Sequence, residues 1–92
     1  KPGINIMPNE EILYLKTILS SVRDLNISIS KISFDIETLD LTVQTEARAR
    51  LMFSLRFNPT LLTLSLKDIL GKQKLNTLEY IDFRTENKVF YK

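Results

Sequence analysis

The stretch FNPTLLTLSLKDILGKQ, Phe57 to Gln73, admits two readings, and the choice between them decides the fold. Leu62, Leu64 and Leu66 alternate with Thr63 and Ser65 as in a half-buried strand, while Leu62, Leu66, Ile69 and Leu70 share one face of a helix. The ends arbitrate. Asn58 is a good N-cap, Pro59 suits the first helical position, and Gly71 stands where a helix commonly stops. The stretch therefore predicts a helix over Pro59–Leu70.

Strands surround it. Upstream, Ala49, Leu51, Phe53, Leu55 and Phe57 hold strict alternation, with Arg48, Arg50, Ser54 and Arg56 facing the other way, the strongest strand pattern in the chain. Before that, Ile32, Phe34 and Ile36 alternate in one phase and Leu39, Leu41 and Val43 in the other. A phase change of this kind marks a turn, so two strands are expected with a break near Glu37-Thr38. An earlier helix opens at Asn9 after Pro8, carries Glu10 and Glu11 at its positive end, and runs its apolar stripe to about Leu25. Downstream of the central helix, Leu78–Thr85 and Lys88–Lys92 read as a closing hairpin.

The order is helix, three strands, helix, two strands. Helices with one apolar stripe need a sheet face to cover. The expected fold is α+β: an antiparallel-rich sheet of about five strands with two helices on one face, ending in a C-terminal β-hairpin. Leu51, Phe53, Leu55, Leu62, Leu66 and Phe83 are expected in its core.

Ninety-two residues make one domain, spanning 1–92, with enough chain for a single core. A hydrophobic share of 43% and a charged share of 26% are those of an ordinary globular chain. The net charge of +2 is too small for a dedicated nucleic-acid binder. No apolar run is long enough to span a membrane, and no signal-peptide pattern opens the chain. The chain begins at Lys1 in the loop-like KPGINIMP, and is expected to be excised from a longer protein.

The side chains argue against catalysis. With no His and no Cys, the usual nucleophile–base pairs and transition-metal ligands are missing. The only glycines are Gly3 and Gly71, so there is no glycine-rich phosphate loop. No catalytic, cofactor or metal residues are expected, and no small-molecule substrate. Arg48, Arg50 and Arg56 share the polar face of the central strand pattern, which leaves open an anion-binding face as an alternative to a solvated one. The Asn26-Ile27-Ser28 triplet carries little weight as a glycosylation signal.

The closing hairpin, YIDFRTENKVFYK from Tyr80 to Lys92, is the most informative piece. A two-residue turn at Glu86-Asn87 would pair Thr85 with Lys88, set Phe83 opposite Phe90, and set Asp82 opposite Tyr91. Glu-Asn is a weaker turn signal than Asn-Gly, and the alternative is a three-residue loop that shifts the second strand's phase. With the two-residue turn the faces follow. Ile81, Phe83 and Phe90 would then share one face, and Tyr80, Asp82, Arg84, Val89 and Tyr91 the other. Asp82 and Arg84 would project from the same side, close enough to pair. The last strand would be left as an open edge with Arg84 beside it.

LEYIDFRTENKVFYK resembles the end of the extracytoplasmic β domain of the FtsQ/DivIB family of bacterial cell-division proteins. Ile81-Asp82-Phe83-Arg84 matches the family's hydrophobic–Asp–hydrophobic–Arg strand, and Val89-Phe90-Tyr91 its final strand. The upstream order of elements is similar in a looser way. The chain departs from the family at TEARAR, where a glycine is common, at Thr85, where an aromatic is common, and at Asn87-Lys88, where a glycine is frequent.

The resemblance implies a non-enzymatic scaffold of the divisome, active in septum formation. It implies a protein anchored in the cell membrane by a single pass, with a POTRA domain preceding this one on the extracytoplasmic side. Its partners would be small coiled-coil division proteins of the FtsB and FtsL kind, one of which adds a strand to the terminal edge. Arg84, Thr85, Lys88, Val89, Phe90 and Tyr91 are the expected partner-binding residues, and an acidic partner residue is expected to meet Arg84. The alternatives are a basic sheet binding an anionic polymer through Arg48, Arg50 and Arg56, or a similar scaffold domain of a secretion or pilus machine.

Overall fold

The computed structural model of the chain describes residues 9–86 and 88–92. The loop reading of the first eight residues, the Asn9 side-chain cap and the Asn87 half of the closing turn lie outside the described residues.

Helix α1 spans Asn9–Asp24 and is followed by strands β1 (Ile29–Asp35), β2 (Asp40–Thr45) and β3 (Arg50–Ser54). Helix α2 (Thr60–Lys72), a short 3₁₀ turn, and strands β4 (Tyr80–Thr85) and β5 (Lys88–Tyr91) complete the chain. The five strands form one sheet in the order β1-β2-β3-β4-β5. Every pairing is antiparallel except β3 with β4, which is parallel. That exception follows from α2, which supplies the crossover a parallel pair requires.

The Phe57–Gln73 conflict resolves as a helix. The Asn58 side-chain oxygen accepts the Thr60 backbone N–H at 2.9 Å, as a capping residue does, and the Pro59 carbonyl accepts the first helical bond from Thr63. Leu62, Leu66 and Ile69 are buried, whereas Leu64, in phase for a strand, is 60% exposed. Gly71 does not end the helix. It lies inside the last turn, and Gln73 closes the helix by donating its N–H to the Ile69 carbonyl at 2.7 Å. Helix α1 ends in a Schellman arrangement. Asn26 takes a left-handed φ of 61°, Asn26 N–H bonds the Arg23 carbonyl, and Ile27 N–H bonds the Val22 carbonyl. Val22 and Ile27 are both buried beneath that turn, the apolar contact that accompanies such a cap.

Both helices pack on one face of the sheet. Ile18 and Val22 of α1 and Leu62, Leu66 and Ile69 of α2 share one core with Leu41, Val43, Leu51, Phe53, Ile81 and Phe83. All six residues expected in the core are buried. Phe53 and Phe83, directly paired across β3 and β4, stack with ring centroids 4.9 Å apart and planes within 3°. Among the described residues, no helix is long and apolar enough to cross a membrane.

Candidate functional site

The closing hairpin leaves β5 at one edge of the sheet. Thr85 pairs with Lys88 as expected, but Asp82 pairs with Phe90 and Ile81 with Tyr91. The register expected from a regular two-residue hairpin is therefore wrong by one residue beyond the turn. Phe83 and Arg84 together oppose Val89, a β-bulge in β4. The physical reason is the core. Ile81 and Phe83 are both fully buried on the helix side, and the bulge lets Val89, instead of Phe90, come in beside them. Directly opposed residues point to the same face. Phe90 therefore stands on the open face with Asp82, 51% exposed, while Val89 packs against the core and Tyr91, 48% exposed, lies on the helix side.

A bulge leaves a backbone N–H without a ladder partner, and here Asp82 supplies one. Its Oδ1 accepts the Arg84 backbone N–H at 2.9 Å and the Arg84 Nε–H at 2.9 Å, and its Oδ2 accepts from Nη2 at 2.8 Å. The spacing Asp-x-Arg thus serves as a clip around the bulge. The Arg84 guanidinium is the main reason that the Asp82 carboxyl sits below the usual carboxylate range, with burial opposing and the backbone N–H assisting. Arg84 in turn is held more firmly charged by Asp82.

Arg84 does not stand at the free edge. It lies on β4, one strand in, and its Nη1 is 3.9 Å from Oδ2 of Asp40 on β2. The guanidinium is turned across the sheet, away from β5. The other Asp40 oxygen is buried without a hydrogen-bond partner among the described residues. Two carboxylates already face this one cation, so a third from a partner would find a cluster that is net negative.

The hydrogen bonding of β5 identifies its free groups. Lys92 N–H bonds the Tyr80 carbonyl at 3.2 Å and Tyr80 N–H bonds the Lys92 carbonyl at 3.4 Å. Alternation along an antiparallel ladder then makes Phe90, two residues back, face inward to Asp82. Val89 and Tyr91 turn their N–H and C=O groups outward. Beside this edge, on the helix side, lies a groove of about 470 Å³ lined in part by Phe57, Leu61, Leu64, Ser65 and Val89. Leu61 and Leu64 are 67% and 60% exposed there. Both lie off the helix face that Leu62, Leu66 and Ile69 bury, as the helical reading of the stretch implies.

Thr85 and Lys88 are exposed at the turn end of the edge. The three arginines of the central strand pattern do not form a stripe. Only Arg50 lies on β3; Arg48 precedes it and pairs with Glu79 at 3.8 Å, and Arg56 follows it and donates Nε–H to the Ser54 hydroxyl at 3.0 Å. A search of known proteins matched no family model to this chain, and no curated protein matched it.

Proposed function

We propose that this domain is a non-enzymatic scaffold of the FtsQ/DivIB kind, and that it recruits a division partner by strand addition at β5. The carrying observation is the outward-facing backbone of Val89 and Tyr91 on an edge flanked by the apolar groove. An added strand gains affinity from main-chain bonds and specificity from pockets for alternate side chains. Partner residues opposite Val89 and Tyr91 would lie over the groove, and the residue opposite Phe90 would lie on the open face. The resemblance of Leu78–Lys92 supports a partner of the FtsB or FtsL kind, and with it a membrane-anchored protein that carries this domain outside the cytoplasm. Arg84 contributes by holding the bulge that sets which β5 groups face outward. Lys88 and Lys92 discourage indiscriminate edge pairing in the free protein.

Proline scanning of β5 tests this reading. Tyr91→Pro removes an outward N–H that no internal bond uses, so the domain should stay folded by circular dichroism. Its affinity for an FtsB-like peptide encoded by the same genome should fall by about tenfold or more, the worth of one lost backbone bond together with the displaced strand. Phe90→Pro removes an inward N–H and should damage the hairpin itself. Wild-type peptide binding by a folded Tyr91→Pro variant would move the docking site away from β5.

A further inference from the structure

The sheet has a second free edge, and its sequence is self-complementary. Among the described residues, β1 pairs only with β2 in the sheet. On β2's other side, Thr45 N–H bonds the Ala49 carbonyl and Leu55 N–H bonds the Leu39 carbonyl, so Leu39, Leu41, Val43 and Thr45 face β3. Asp40, Thr42 and Gln44 therefore face β1, opposite Asp35, Ser33 and Lys31. This leaves the N–H and C=O groups of Ile32 and Phe34 directed out of the sheet. Ile32 is 45% exposed on the helix side, and Lys31, Ser33 and Asp35 are exposed on the open side. At seven residues, this edge is longer than the four of β5.

We propose that two copies of the chain pair through β1, antiparallel, about a two-fold axis at Ser33. Only residues with outward backbone groups can exchange main-chain bonds across such an edge, which restricts the register to three choices. These set Ile32 opposite Ile32 of the second copy, Phe34 opposite Phe34, or Ile32 opposite Phe34. The first sets Lys31 against Ser33, and the second carries Lys31 past Asp35, the last residue of the strand. The third sets Lys31 opposite Asp35 on both sides of the axis, Ser33 opposite Ser33, and the two apolar side chains opposite each other on the helix side. Asp35 Oδ1 is occupied by the Glu37 and Thr38 N–H groups of the following turn, which leaves Oδ2 for the incoming lysine. Exposed charge pairs add little affinity but select register and partner. An isologous contact of this kind closes on itself and does not propagate. It also leaves β5 of each copy free at the outer ends of a ten-stranded sheet, so it stands independently of the docking reading.

Edge pairing alone buries less surface than a stable dimer does, so the association is expected to be weak and concentration-dependent. Sedimentation equilibrium of the chain at low salt should show a monomer–dimer equilibrium. Lys31→Asp and Asp35→Lys, each alone, place like charges together at two positions and should weaken the dimer about tenfold. An equimolar mixture of the two should recover it, because the mixed dimer has both attractive pairs. Asp35→Asn keeps the turn-capping oxygen, and serves as the charge test if Asp35→Lys does not fold. Ile32→Pro deletes an outward N–H and should abolish the dimer while leaving the monomer folded. A chain that stays monomeric up to its solubility limit overturns the proposal. So does a dimer that survives Ile32→Pro, or a mixture that associates no better than either charge variant alone.

Discussion

Asp82 and Arg84, two residues apart on one strand, are joined by three hydrogen bonds: two from the guanidinium and one from the Arg84 backbone. A regular strand would commit that backbone N–H to a neighbour or to solvent. Here the bulge releases it and the carboxylate collects it, so the pair acts on the path of the chain as well as on its charge. The relationship connects a short sequence motif to the orientation of an entire edge strand.

Removing the clip should loosen the register. Asp82→Ala should cost about 1 kcal/mol, because the freed Arg84 N–H is near solvent and water can replace the lost acceptor in part. The hairpin should then sample the unbulged pairing. Nuclear Overhauser contacts between Phe83 and Phe90, absent in the wild-type pairing, would report it; unchanged contacts and unchanged stability would mean that the core alone holds the bulge.

The same clip predicts a pH dependence. Its partners hold the Asp82 pKa below the usual value, so its stabilising contribution is fully present above the unfolded-state pKa of about 3.9 and is lost as pH falls through the lower folded-state value. Urea midpoints should decline on acidification below about pH 4, and Asp82→Asn should flatten part of that decline. Parallel acid limbs for the two proteins would show that other carboxylates carry it.

The leucines of α2 should separate cleanly. Leu66 is fully buried and Leu64 is largely exposed, although both belong to the alternating run. Leu66→Ala should cost about 2–5 kcal/mol, while Leu64→Ala should stay within about 0.5 kcal/mol. Equal losses in chemical denaturation would contradict the helix.

Arg48 has a φ of 138°, in a region that disfavours side chains, within the TEARAR turn. The turn is fixed on both sides: Thr45 hydroxyl and N–H both bond the Ala49 carbonyl, and the Gln44 amide bonds the Arg48 carbonyl. Arg48→Gly relieves the strained φ at the expense of chain entropy and an exposed ion pair with Glu79. The net effect should be a gain of about 1 kcal/mol, read as a raised melting temperature. A lowered one would mean that the Glu79 contact outweighs the strain.

Much of this fold is decided by neighbours in sequence. The strict alternation around Leu51–Leu55, the apolar stripe of α1 and the Asn58-Pro59 signal are short-range patterns, and each specifies an element and its buried face. Ile81-Asp82-Phe83-Arg84 likewise shows, by spacing alone, that an acid and a base share one side of a strand. Tertiary structure decided what spacing cannot carry. Phe83 and Val89 are brought together by a core that draws on four other elements, α1, β2, β3 and α2, and the bulge that admits them reverses the faces of Phe90 and Val89. Arg84 is drawn across two strands to an aspartate more than forty positions away in the chain. Gly71 stays helical because the chain closes the helix through Gln73. Which backbone groups an edge strand leaves free depends on the register with its neighbour, a long-range choice made by packing. A single residue's slip in that register moves every side chain to the opposite face.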